Sequence, residues 1–155
     1  MVVLHLIYNV AVVVALIAGI QLFSWKLLAY SSVYRWSTAP LFGLVAIVGM
    51  LTPFEYAPGV IYDARTLVLG LAGMICGPAA VLPMLMSAAF RIHIGGPGMP
   101  VGVFCIAEAT AIGVLLFYLR RRDARWDKSL HLLLVGLLIH VIMLASQTQI
   151  PREDA

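Results

Sequence analysis

Apolar residues along this chain fall into long continuous runs and do not alternate with polar ones, which is the pattern of membrane-crossing helices and not of barrel strands. The first run, residues 2–23, is long enough to span a hydrocarbon core of ~30 Å at about 1.5 Å per residue. Residues 24–40 then bring in Trp25, Lys26, Tyr30, Tyr34, Arg35 and Trp36. That basic and aromatic mixture belongs at a membrane surface and predicts an interfacial loop, in part helical. A second span is expected from Pro40 to Phe54, followed by a turn-forming break at Glu55, Tyr56, Pro58 and Gly59. The chain is apolar again from Thr66 to Phe90, from Met99 to Leu119 and from Ser129 to Ile150.

The run from Thr66 to Phe90 is long enough for one span, but two features predict a helical hairpin instead. Gly77-Pro78 falls at its middle, where glycine flexibility and the missing proline amide favour a turn, and Pro83 disturbs the second half. The second feature is charge parity. With residues 24–40 in the cytoplasm, a single span would place Arg120, Arg121, Arg122, Arg125 and Lys128 outside, against the positive-inside rule at the strongest basic cluster. A hairpin turning at Gly77-Pro78 returns that cluster to the cytoplasm. Each arm is then short for a full crossing, as suits tilted or broken helices inside a bundle. The fold expected is all-α, a polytopic bundle of five to six membrane segments forming one domain over residues 1–155.

Composition strengthens this reading and removes several function classes. The apolar fraction of 63% and charged fraction of 11% are far from the roughly 45–50% and ~25% of soluble domains. No soluble stretch is long enough for a catalytic domain, so an output activity would have to lie elsewhere. The net charge of +3 comes largely from the cluster between two spans, where basic residues act as topology signals and lipid headgroup contacts. Nucleic acid is therefore not an expected partner. Cys76 and Cys105 lie in apolar segments and imply no disulfide framework. The N-terminus has no basic n-region or cleavage site and reads as a retained span. Metal-ligand spacing, a phosphate-cradling loop and a nucleophile motif are all lacking, so neither an enzyme, a metal nor a cofactor is implied.

Candidate chemistry concentrates between Asp63 and Gly98. In the hairpin arrangement Asp63 and Arg65 enter the first arm from the same side on which Arg91 and His93 leave the second. Two converging guanidinium forks match a carboxylate or phosphate. The plainer alternative is that Asp63 neutralises Arg65 while Arg91 snorkels to the headgroups. Gly95-Gly96-Pro97-Gly98 frees the backbone for close approach, and its amides could add anion donors; a flexible loop is the ordinary reading. Glu108 is the acid deepest within a span, with Cys105 and Gly102 one and two turns earlier and His140 at comparable depth in the last span. Glu108 and His140 form either a functional pair or a structural interhelical bond worth ~1 kcal/mol.

Asp63-Ala-Arg65, Gly70-Leu-Ala-Gly73, Gly77-Pro78 and Phe90-Arg91-Ile-His-Ile-Gly95-Gly96 together resemble the signature of the LytS/YhcK-type five-transmembrane receptor domain. The resemblance is specific over about Tyr62 to Gly98 and looser elsewhere. It implies a bacterial, multi-pass inner (plasma) membrane sensor region fused to a histidine kinase or diguanylate cyclase, plausible as a homodimer. Some kinase-branch members respond to small carboxylates such as pyruvate. By that similarity Arg65 and Arg91 hold the carboxylate, and Cys105 stands where a small hydroxyl or thiol residue lines the pocket. Gly102 departs from a position that can be polar there, so the ligand need not be the same. Such receptors continue through a further helix to the output domain, so a sensor region truncated before that helix is expected; a freestanding binding protein is the alternative.

Two competing functions remain at this point. Short Gly-rich helices with a Gly-Pro turn would also suit the substrate-capture subunit of a small-molecule transporter, holding a neutral or aromatic ligand. An ion pathway through Glu108 and His140 would need a continuous polar route that the sequence hardly supplies.

Overall fold

The computed structural model describes residues 32–51, 54–57, 60–62 and 65–127, together with 134, 136–139, 141–142 and 145 of the last apolar run. The expected first span, Asp63, and His140 lie outside the described residues. In chain order the elements are helix α1 (Ser32–Leu51), strands β1 (Phe54–Ala57) and β2 (Val60–Tyr62), and helix α2 (Arg65–Cys76). A 3-10 turn (Gly77–Ala80), helix α3 (Val81–Ile94), helix α4 (Met99–Arg122) and a short 3-10 segment (Ala124–Asp127) follow. The described residues of the last run are helical.

Helix α1 starts well before the expected boundary and takes in Arg35 and Trp36, so much of the expected surface loop is helix. Ser37 and Thr38 hydroxyls donate back to the Tyr34 carbonyl at 3.0 and 2.8 Å, which satisfies their polar groups within the helix. Residues 54–62 depart from the all-helical expectation. There β1 and β2 pair antiparallel, Phe54 opposite Tyr62 and Glu55 opposite Ile61, with an irregularity between Glu55 and Ala57. Aromatic and β-branched residues flanking Pro58-Gly59 favour such a ribbon.

Among the described residues three stretches, Ser32–Leu51, Arg65–Ile94 and Met99–Arg122, are long and apolar enough to cross a membrane. The middle stretch is not one straight rod. In a straight helix positions 65 and 91 would stand ~39 Å apart, yet a Cβ added at Gly102 would meet Arg91 Nε at 2.6 Å and Arg65 Nη2 at 3.3 Å. The chain therefore doubles back between α2 and α3. Between them Gly77 has φ +59°, a conformation that L side chains rarely adopt. Pro78 follows in the first turn of the 3-10 segment, where its missing amide costs no helix hydrogen bond.

The two arms make little contact with each other. Helix α2 packs chiefly along α4, while α3 packs on both α1 and α4. The α2–α4 contact is backbone against backbone: a Cβ on Gly73 would lie 2.6 Å from the Thr110 carbonyl oxygen, and one on Gly113 would run into the Gly70 carbonyl. Small residues allow this approach where no hydrophobic driving force exists between helices in lipid. From Arg65 beside Gly102 to Gly77 beside the Phe117 ring, α2 and α4 run in the same direction. The core is formed by Ala39, Phe42, Ala46, Val68, Leu69, Ala72, Cys76 and Ile106, with Ala79 and Ala80 of the turn. Leu41, Leu44, Leu85, Ile92, Phe104 and Leu115 point outward, as lipid-facing side chains do.

Candidate functional site

The two ends of the bundle differ in chemistry. Arg35, in the first turn of α1, and Arg121, in the last turn of α4, share one end with Gly77 and Phe117. The opposite end holds Arg65 at the start of α2, Arg91 in the last turn of α3 and Gly102 near the start of α4.

Both arginines of that second end are inside the protein. Arg65 is 8% exposed and Arg91 3% exposed, which is unusual for the residue type most often found in water. They reach the same place because Gly102 has no side chain: its Cα hydrogens leave the space against which Arg91 Nε and Cδ and Arg65 Nη2 pack. Arg91 Nη1 donates to the Gly95 carbonyl oxygen at 2.7 Å, a short charge-assisted bond that fixes the guanidinium against the end of its own helix. Gly95 and Gly96 provide the turn that makes this possible, with φ +71° and +87°. The Gly95 amide donates to the Arg91 carbonyl at 3.2 Å, closing the helix, and so is not an additional anion donor. Gly96 acts through its backbone conformation and carbonyl, which accepts from Met99 N at 3.0 Å.

The inward stripe of α4 comprises Gly102, Cys105, Ile106, Ala109, Thr110, Gly113 and Leu116. Cys105 is therefore buried one turn below the arginine pair, on the face that bears Gly102. Glu108 lies beside this stripe and is half-buried, but both carboxylate oxygens are shielded from solvent. His93 is exposed. It follows Arg91 by two residues, a rotation of about 200° around α3 that turns it away from the site. Among the described residues no group of three or more His, Cys, Asp or Glu side chains could hold a metal ion.

One residue at the site was not singled out from sequence. Ser87 lies one turn before Arg91, fully buried, and its hydroxyl has no hydrogen-bond partner among the described residues. Its four-residue spacing from Arg91 was the available signal, although a serine in an apolar helix commonly donates to its own backbone.

The helical membrane domain thus brings two arginines into its interior at one end. The model of the family 5TM-5TMR_LYT, described as the 5TMR of 5TMR-LYT, matches residues 21–153. The chain belongs to this family of LytS-type five-transmembrane receptor regions. No curated protein and no solved structure matches it.

Proposed function

We propose that this membrane sensor domain binds a small anion, a carboxylate, between Arg65 and Arg91 at the end of the bundle remote from the basic cluster. The observation that carries the reading is the convergence of these two buried guanidinium groups on Gly102 from different helices. Two like charges so placed favour an anionic guest, and the planar fork of arginine suits a carboxylate in particular. Cys105 lines the pocket below them, Gly95 and Gly96 hold Arg91 in place, and Glu108 borders the wall. Asp63, two residues before Arg65 in sequence, belongs to the same proposed site.

Within this reading the chain crosses a bacterial inner membrane in five to six segments, two of them the half-length arms α2 and α3. Their Gly77-Pro78 turn lies on the cytoplasmic side with the basic cluster, and the arginine site opens outside. Ligand binding draws the arms towards α4, and the last span passes the change to a fused histidine kinase or diguanylate cyclase, in a homodimer. A ligand shifts such an equilibrium only by its differential affinity for the two states.

The test is a panel of small carboxylates, with matched neutral amides and alcohols, read by the thermal midpoint of the purified protein. Carboxylates raise the midpoint in the wild type and lose that effect in Arg91→Ala. An equal response in the variant, or an equal response to the amides, removes the assignment.

A further inference from the structure

We infer that the basic end of the bundle carries a second and separate anion site, in which Arg35 and Arg121, gathered around the Phe117 ring, hold the phosphate of an anionic phospholipid headgroup. Arg35 Cζ lies 5.5 Å and Arg121 Cζ 5.2 Å from the centroid of that single ring. The two cations come from different helices, α1 and α4, and have the same aromatic partner. A guanidinium near a ring face does not spend its N–H donors on the ring, so each arginine still has donors suited to phosphate oxygens.

Among the described residues no acid neutralises their charges, and neither arginine makes an ion pair. Asp123, the acid two residues beyond Arg121, is committed to Arg125 through Oδ2···Nε at 2.8 Å and through Oδ1, which accepts from the Arg125 amide at 2.9 Å. Arg122 and the first turn of α1 add further positive potential at the same end. The same helices carry exposed apolar side chains towards this end, Val33 and Trp36 on α1 and Leu115 and Tyr118 on α4. A soluble phosphate has no use for that surface, whereas the acyl chains and glycerol backbone of a lipid do.

The site also touches the reversal between the two arms. A Cβ on Gly77 would meet the Phe117 ring at 2.7 Å, so the ring that both arginines cover is the one packed on the turn. A phosphate bound by Arg35 and Arg121 therefore ties α1, the turn and the end of α4 together. This does not depend on what binds at Arg65 and Arg91.

Native mass spectrometry of the purified protein, titrated with phosphatidylglycerol or phosphatidylcholine, tests the proposal. The wild type retains one phosphatidylglycerol at about tenfold lower lipid concentration than phosphatidylcholine. In R35Q/R121Q that preference disappears, while R125Q, whose arginine is engaged by Asp123, keeps it. Arg35→Lys, a gentler change that preserves charge but not the fork, weakens the preference. Equal retention of the two lipids by the wild type, or an unchanged preference in R35Q/R121Q, overturns the site. Displacement of phosphatidylglycerol by an equal concentration of inorganic phosphate would assign the arginines to a soluble anion and overturn the lipid reading.

Discussion

Replacing Gly102 with alanine is the smallest change that acts directly on the arginine pair. The added methyl would lie 2.6 Å from Arg91 Nε, 3.3 Å from Arg91 Cδ and 3.3 Å from Arg65 Nη2. Ordinary non-bonded contact requires about 3.5 Å, so the Arg91 guanidinium must retreat by about 1 Å. That retreat breaks or strains its 2.7 Å bond to the Gly95 carbonyl, since N–H···O bonds weaken beyond about 3.2 Å. A hydrogen bond to a charged group is worth about 1.5–3 kcal/mol, and each 1.4 kcal/mol changes an equilibrium constant about tenfold. Gly102→Ala should therefore weaken carboxylate binding by about 10- to 100-fold. The folded state is affected less, because overpacking of about 1–3 kcal/mol is partly offset by the ~1 kcal/mol gain of alanine over glycine in a helix. Carboxylate affinity and thermal midpoint, measured on the same lipid-reconstituted samples, separate the two effects. If affinity stays within threefold of wild type while the variant folds normally, the guanidinium position does not govern binding and the reasoning fails.

Three further substitutions probe different parts of the structure. Gly73→Val puts a branched side chain against the Thr110 carbonyl and Val114 amide, at 2.6 and 2.7 Å from its Cβ, where backbone cannot yield. It should lower stability by about 1–3 kcal/mol or prevent folding, seen as loss of monodisperse protein in size-exclusion chromatography. Ser87→Ala removes a buried hydroxyl that has no partner among the described residues. It should raise the ligand-free thermal midpoint by a few degrees, corresponding to about 1 kcal/mol of relieved desolvation; a lower midpoint would show that the hydroxyl is engaged. His93→Ala, at an exposed position, should leave the carboxylate response unchanged, and a loss of response would return His93 to the site.

Much of the architecture could be read from sequence because membrane insertion makes hydropathy and charge unusually informative. The parity of the basic cluster led to an arrangement in which Arg65 and Arg91 share one end, and in the structure both lie against Gly102. What escaped the reading depends on finer geometry. Glu55 and Pro58-Gly59 dominate a short polar break that predicts a loop after Phe54, yet Phe54, Glu55 and Ala57 pair with Tyr62, Ile61 and Val60 as a ribbon. The start of α1 was hidden because Tyr34, Arg35 and Trp36 have the composition of a membrane surface, which says little about backbone conformation. His93 shared a short segment with Arg91, but helical rotation sends it outward. Gly102 illustrates the remaining difficulty. Its role comes from an absent side chain, and only the packing of Arg65 and Arg91 against it exposes that role.

Carboxylate binding between Arg65 and Arg91 is read directly by isothermal calorimetry with the best carboxylate of the panel, on wild type, Arg65→Ala and Arg91→Ala in the same lipid nanodiscs. The wild type should show a single saturable site per chain, and each variant at least a hundredfold weaker binding, as loss of a charge-assisted contact of about 3 kcal/mol requires. Undiminished affinity in both variants, with the proteins folded, would contradict binding between the two arginines.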